Sequence, residues 1–134
     1  MPFLPITALY ASICALILLY LAYDVVRFRQ SQKKGLGHDT KELLVAGRNH
    51  ANAAEYMPIA LLLLALAEVN GAATLILHVL GFTFVAARFG HAYGFKKSLG
   101  KVHMARFHGT LFTWISILAL VILNLWLSWP FFLV

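Results

Sequence analysis

The chain has 134 residues, of which 61% are hydrophobic and only 12% are charged. A soluble domain this small cannot bury so much apolar surface, and a disordered chain would be far more polar, so both classes are excluded. A single cysteine also excludes a disulfide scaffold, and since a helical membrane crossing needs about 20 apolar residues, the length allows roughly four crossings.

Four apolar segments follow one another along the chain, and each is long enough to cross a bilayer. The first ends in a basic stretch that begins at Arg27, and because no cleavage site follows it, we expect a retained helix. Asp39 and Glu42 form a candidate capping box at the start of the second helix. The predicted helices span 3–32, 40–69, 72–95 and 104–128.

The basic residues are confined to two windows of the sequence, 27–48 and 88–106, each of which contains one of the loops. Basic loops stay in the cytoplasm, so both basic loops are expected there and both termini in the periplasm. The same clustering argues against nucleic-acid binding, which uses basic patches on soluble domains. We therefore predict one all-α domain over 1–134, an integral membrane four-helix bundle with up-down-up-down topology.

A polar stripe runs along the first half of the second helix. Arg48 and Glu55 are separated by seven positions and so lie about 20° apart around the helix, with Asn52 between them and Tyr56 on the flank. Each charged group at membrane depth costs about 2.5–3.5 kcal/mol on insertion scales. Either Arg48 and Glu55 neutralise each other in a structural cluster, or they hold a small zwitterionic or anionic ligand that enters from the inner face.

Further polar residues lie on the third and fourth helices. Arg88 and His91 are three positions apart on one face, although Arg88 could instead reach the inner headgroups. Arg106 lies in the first turn of the fourth helix. Together with the positive end of the helix dipole, its charge would stabilise an anion such as a thiolate. Alternatively, Arg106 is an ordinary basic residue beside the loop. Asp24 and Arg27 are expected to pair. The histidines show no metal-ligand spacing, so no metal site is expected.

The run Arg48-Asn-His-Ala-Asn52-Ala-Ala-Glu55-Tyr56-Met-Pro58 closely resembles the second-helix signature of the MAPEG family, the membrane-associated proteins in eicosanoid and glutathione metabolism. The resemblance is specific because four polar identities and a proline are fixed in register, and it extends over nearly the whole chain.

Other parts of the chain support the same resemblance. The end of the first helix, Val-Arg27-Phe-Arg29, and the third-helix pair Ala-Arg88 with His91 are similar to the family's motifs. The closest similarity is to small bacterial inner-membrane members, which share Asn-Gly-Ala after the second helix. The resemblance therefore implies a location in the bacterial inner membrane.

The resemblance also implies a homotrimer that binds glutathione, as a co-substrate, in a cleft between neighbouring subunits on the cytoplasmic side. Glu55 would face the amino group of the tripeptide. The residues carried over as glutathione ligands are Arg27, Arg29, Arg48, Asn52, Glu55, Tyr56, Arg88, His91 and Tyr93.

The function that the resemblance favours is a glutathione transferase or peroxidase acting on lipophilic electrophiles, with Arg106 stabilising the thiolate and Lys101 as its competitor. One position departs from the family, because Phe95 replaces a tyrosine that several active members carry. The alternatives are a non-catalytic scaffold that binds lipids or glutathione, and a small multidrug exporter in which Glu55 would couple to protons. The expected partners are thus glutathione, lipophilic small molecules or lipids, the bilayer and further copies of the chain.

Overall fold

The computed structural model describes residues 3–133, in which helices joined by short loops are the regular structure and no strand occurs. Each of the four long helices has the length and apolar composition to cross a membrane, which confirms the predicted all-α fold class. A short 3-10 helix follows the last of them. The helices are α1 Pro5–Ser31, α2 Lys41–Val69, α3 Thr74–Lys97, α4 Met104–Ser128 and the 3-10 helix Trp129–Phe132.

The first turn of α1 is closed by a side chain from another helix. Pro5 occupies the first helical position, where its missing N–H is not needed. The carboxylate of Glu68, near the end of α2, accepts hydrogen bonds from the backbone N–H groups of Ile6 at 2.9 Å and Thr7 at 2.7 Å. An anion at a helix N-terminus is favourable, so Glu68 joins the start of α1 to the end of α2.

The start of α2 differs from the predicted capping box. The capping residue is Thr40, whose Oγ1 accepts a hydrogen bond from the N–H of Leu43 at 3.4 Å. Asp39 instead pairs with Lys34 across the loop, and the hydrogen bond from this ammonium group holds the pKa of the Asp39 carboxyl below its usual range. The prediction that Asp39 caps α2 is therefore wrong, because a lysine in the loop binds it.

Each of the four long helices packs on at least two of the others. α3 packs most extensively on α4 and α1 on α2, while α2 touches all three other helices and the described α1 and α4 do not meet. Two apolar clusters fill the interior. The cluster farther from the basic loops contains Ile6, Tyr10, Leu64, Ala67, Leu77 and Leu120, and the one nearer to them contains Cys14, Leu21, Ala53, Met57, Ala60 and Phe84.

The contact between α3 and α4 depends on two glycines. A Cβ atom on Gly94 would lie 2.5 Å from the backbone nitrogen of Arg106, and one on Gly109 would lie 2.5 Å from that of His91. Only a residue without a side chain permits backbones to approach this closely. The approach places the first turn of α4 directly beside the C-terminal part of α3, which carries the polar residues Arg88 and His91.

Candidate functional site

Arg88 lies at the centre of a polar cluster between α2, α3 and α4. Its side chain is only 1% exposed, which excludes the alternative that it reaches the headgroups. It donates from Nη2 to Oδ1 of Asn52 at 2.7 Å and from Nη1 to Oγ1 of Thr113 at 3.4 Å. Among residues 3–133 no acidic side chain pairs with it, so neutral groups alone hold this cation.

Two aromatic groups complete the surroundings of Arg88. Its guanidinium carbon lies 5.5 Å from the ring centroid of Tyr56, within the range of a cation–π contact, and Nη2 lies 3.4 Å from Nδ1 of His91. The hydroxyl of Tyr56 in turn accepts a hydrogen bond from the indole Nε1 of Trp114 at 3.1 Å. The structure therefore brings four predicted site residues into one cluster, namely Asn52, Tyr56, Arg88 and His91.

Arg48 and Glu55 lie outside this cluster, on the exposed surface of α2. Within residues 3–133 neither side chain forms an ion pair or a hydrogen bond, and Asn52 between them turns to Arg88. The structural alternative, in which the two charges neutralise each other, is therefore not realised in the single chain. Both charges are available to a molecule that approaches α2 from outside the bundle.

The depth of these charges makes the exposure significant. Glu55 lies near the middle of the 29-residue α2, and Arg48 lies about 10 Å closer to the basic loop. Charged groups facing hydrocarbon at such a depth cost several kcal/mol, so they normally face protein, water or a ligand. Arg48 and Glu55 have no such partner among residues 3–133, which makes this face of α2 the candidate site for a bound molecule.

Arg27 and Arg29, at the C-terminal end of α1, both have partners within the protein. Arg27 donates to Asp24 at 3.0 Å, which confirms the predicted pair, and Lys96 of α3 binds the same carboxylate at 2.7 Å. Arg29 donates from Nη1 to the carbonyl oxygen of Gly35 at 2.9 Å. Both arginines lie at the level of the basic loop, away from the buried cluster.

Arg106, the candidate thiolate-stabilising residue, is anchored where α3 and α4 meet. Its Nη1 donates to the carbonyl oxygen of Gly100 at 2.8 Å, and its guanidinium carbon lies 4.2 Å from the ring centroid of Phe95. Phe95 stacks on His91, with ring centroids 5.7 Å apart. A continuous series of contacts therefore leads from Arg106 to the buried Arg88, whereas the side chain of Lys101 is solvent-exposed in the loop.

A shallow groove of about 360 Å³ runs along α4 from Arg106 to Trp114. Phe107, Leu111 and Trp114 are among its apolar lining residues, and Thr110 contributes a hydroxyl group. The groove opens to the outside of the bundle, and the side chains of Arg48 and Glu55 are exposed on the outside as well. An apolar molecule from the bilayer can therefore reach the side of Arg106.

Tyr93, a further predicted site residue, also lies apart from the cluster around Arg88. Its side chain is half-exposed, and its hydroxyl accepts a hydrogen bond from Nζ of Lys97 at 3.1 Å. It borders a groove between α1 and α3, not the cluster around Arg88.

Three residues of the site were not predicted as such. Thr113 accepts a hydrogen bond from Arg88, and Trp114 donates one to Tyr56. Asn49 is 2% exposed and donates to the carbonyl oxygen of Ala92 at 3.0 Å. For Thr113 a signal existed, because it follows the close-packed Gly109 by one helical turn. The partner of a tryptophan or asparagine inside an apolar helix, in contrast, depends on the packing of another helix.

The fold and the site together define a four-helix membrane protein whose second helix carries an Arg–Asn–Glu–Tyr set, with Asn52 and Tyr56 in the Arg88 cluster and Arg48 and Glu55 on the exposed surface. The MAPEG family model matches residues 7–126. The inner membrane protein YecN of Escherichia coli strain K12 is 40% identical over 122 residues, which cover 90% of this chain and 91% of that protein. YecN of E. coli O6:H1 strain CFT073 is similar to the same extent. The chain belongs to the MAPEG family.

Proposed function

We propose that this chain binds glutathione against the α2 face that carries Arg48 and Glu55, within a homotrimer in the bacterial inner membrane whose basic loops are cytoplasmic. The observation that carries the proposal is the exposure of two opposite charges at membrane depth without a partner in residues 3–133. Glutathione offers what these groups need, because it carries carboxylates for Arg48 and an ammonium group for Glu55. Membership of the MAPEG family supports a role related to glutathione, and the inner-membrane relative supports the location.

The spacing of the two charges suits a tripeptide. Seven helical residues separate Arg48 from Glu55, which is about 10 Å along the helix axis. Three extended residues span at most about 10 Å, so one peptide can reach both groups. Between them, the oxygen of Asn52 is turned inward to Arg88, and its Nδ2 group is the part that would donate to the middle of the peptide. Arg88 fixes that amide by binding its oxygen at 2.7 Å, and is thus a positioning residue.

The other wall of the cleft would come from a neighbouring subunit. A second copy that contributes polar groups opposite Arg48 and Glu55 would remove the free-energy cost of exposing these charges to hydrocarbon. Arg27 and Arg29, beside the basic loop at the end of α1, are the predicted ligands that would take part from the neighbouring subunit, whereas Tyr93 borders the groove between α1 and α3 and is left out of this cleft.

The leading catalytic proposal is thiol chemistry on lipophilic electrophiles. Arg106 would favour the glutathione thiolate, whose sulfur bonds to an electrophilic carbon as the leaving group departs with the bond electrons. As a peroxidase, two glutathione thiols would reduce a lipid hydroperoxide to an alcohol and water while forming glutathione disulfide. The groove beside Arg106, lined by Phe107 and Trp114, would admit the second substrate from the bilayer.

A non-catalytic glutathione- or lipid-binding scaffold is the second candidate, and one observation favours it. The guanidinium of Arg106 stacks on Phe95 and donates to Gly100, so the loop and the ring already engage it. Phe95 also lacks the hydroxyl that several active members carry there. This arrangement supports binding without turnover.

Calorimetric titration of the purified protein with glutathione tests the binding proposal. Arg48→Ala and Glu55→Gln should each raise Kd by about ten- to a hundred-fold, because each removes a charge-assisted hydrogen bond of about 1.5–3 kcal/mol. Lys41→Ala, which removes an exposed charge from the same helix, should leave Kd unchanged. Wild-type protein without measurable binding, or equal Kd in all variants, would refute the proposal.

Ultraviolet absorbance of the thiolate and conjugation of an aryl halide separate the two candidates. A transferase should show the thiolate band and product, and Arg106→Ala should abolish both while changing Kd less than about three-fold. Binding with neither band nor product would instead establish the scaffold.

A further inference from the structure

A second surface, apart from the α2 face, has the features of a lipid site. A groove of about 690 Å³ lies between α1 and α3. Its walls are apolar over most of their length and include Leu16, Ile17, Phe82, Val85 and Phe89. From Phe82 to Lys96 the groove follows α3 for about 21 Å, which exceeds the roughly 15 Å depth of one leaflet's hydrocarbon. It is therefore long enough for an acyl chain.

Polar groups gather only at the end of this groove beside the basic loops. Lys96 is held there by Asp24 at 2.7 Å and by the hydroxyl of Tyr20 at 2.9 Å. Lys97, the last residue of α3, donates to the hydroxyl of Tyr93 at 3.1 Å. Hydroxyl and ammonium groups at the depth of the headgroups, above an apolar groove, match the two parts of a phospholipid.

The charge of this end is positive. Among the described residues, Asp24 is the acidic residue that forms ion pairs at this end, and it pairs with two cations, Arg27 and Lys96. Lys97 has only the neutral Tyr93 hydroxyl as a partner in residues 3–133, so its full charge faces the surface. A basic pocket between membrane helices, on the side of the basic loops, favours an anionic headgroup.

We infer that the groove between α1 and α3 holds one acyl chain of an anionic phospholipid from the leaflet on the side of the basic loops. Its phosphate lies against Lys96 and Lys97, with the hydroxyls of Tyr20 and Tyr93 as further donors. The site uses neither Arg48 nor Glu55, so it stands whether or not glutathione binds. A lipid fits better than a second protein copy because the positive charge is confined to one end of an apolar groove.

Native mass spectrometry of protein released from nanodiscs of equal phosphatidylglycerol and phosphatidylethanolamine tests this assignment. Lys96→Gln with Lys97→Gln should reduce the preference for retained phosphatidylglycerol by about ten- to thirty-fold, since each basic residue near the surface contributes roughly five-fold. Lys97→Gln alone, which keeps the Lys96–Asp24 pair, should reduce it by about five-fold. The matched control, Lys33→Gln with Lys41→Gln, removes two exposed charges beside the other loop and should keep the preference.

A second pair of variants tests the groove itself. Ala86→Phe fills the groove and should lower the number of retained lipids, whereas Ala15→Phe, at an exposed position of α1 outside it, should not. An unchanged preference in the Lys96 and Lys97 variants, or an equal loss in the control pair, would overturn the assignment. Efficient disulfide cross-linking of two Phe89→Cys chains would also overturn it, because a second copy would then cover the groove.

Discussion

At the scale of single residues, Arg88 has an unusual environment. It is 1% exposed and bound by amide, hydroxyl, imidazole and aromatic groups, with no carboxylate among residues 3–133. Neutral partners offset less of the desolvation free energy of a guanidinium than an ion pair would. A residue retained under such conditions serves binding or specificity better than stability.

Replacement of Arg88 should therefore separate stability from binding. Arg88→Met is expected to keep or raise the free energy of unfolding, by up to about 4 kcal/mol, because it removes a buried charge and fills the same volume. Glutathione affinity should fall about ten-fold, since Asn52 loses the group that orients it. Asn52→Ala, by contrast, should destabilise the protein by about 1–3 kcal/mol by depriving Arg88 of its closest acceptor. Unfolding in detergent by SDS measures both, and a strongly destabilised Arg88→Met would contradict this account.

Glu68 has a role at the same scale that is purely structural. Glu68→Gln should lower the free energy of unfolding by about 1–2 kcal/mol, because an amide has one acceptor oxygen and no charge for the N–H groups of Ile6 and Thr7. Glu42→Gln, at the exposed start of α2, is the control and should change it by less than about 0.5 kcal/mol. Hydrogen exchange should accelerate at Ile6 and Thr7 in the first variant alone. Unchanged exchange there would rule out the cap.

At the scale of helices, the α3–α4 contact determines where Arg106 lies. Gly94→Ala and Gly109→Ala should each destabilise the protein by about 1–3 kcal/mol, because the added methyl group meets backbone atoms that cannot move independently. Gly90→Ala is the control. Its Cβ would lie 3.7 Å from the nearest atom, so the variant should gain up to about 1 kcal/mol of helix propensity. Equal stability of the three variants in SDS unfolding would contradict the close contact.

The sequence predicted the helices well because hydropathy and the position of basic residues act locally. The start of α2 could not be placed so accurately, since Asp39 had to be weighed against a lysine five positions away. The polar stripe on α2 was recognisable by its spacing, but which of its side chains face the interior and which face outward could not be predicted. Asn52 turns inward and Arg48 and Glu55 outward only because α3 supplies Arg88 on one side. The contacts of Glu68 and Trp114 were unpredictable for the same reason, as they depend on neighbouring helices.

At the scale of the whole molecule, the exposed charges on α2 bear on assembly. We expect a particle of three times the chain mass of 14.9 kDa by light scattering in mild detergent. Glu55→Arg should shift this particle towards monomers, because it places a second cation beside Arg48 at membrane depth. Glu42→Arg, the same change at the exposed start of α2, should leave the mass unaltered. A monomeric wild-type protein would refute the trimer.

The cap on α1 also bears on the order in which the chain can enter the membrane. During synthesis the ribosome releases Ile6 and Thr7 long before Glu68, so the leading amides of the first crossing lack their acceptor until the second crossing has been made. The shortest stretch in which those amides are satisfied is the helical hairpin 5–69. Insertion of α1 and α2 as a pair would therefore supply the carboxylate acceptor to these two amides as soon as they reach the membrane.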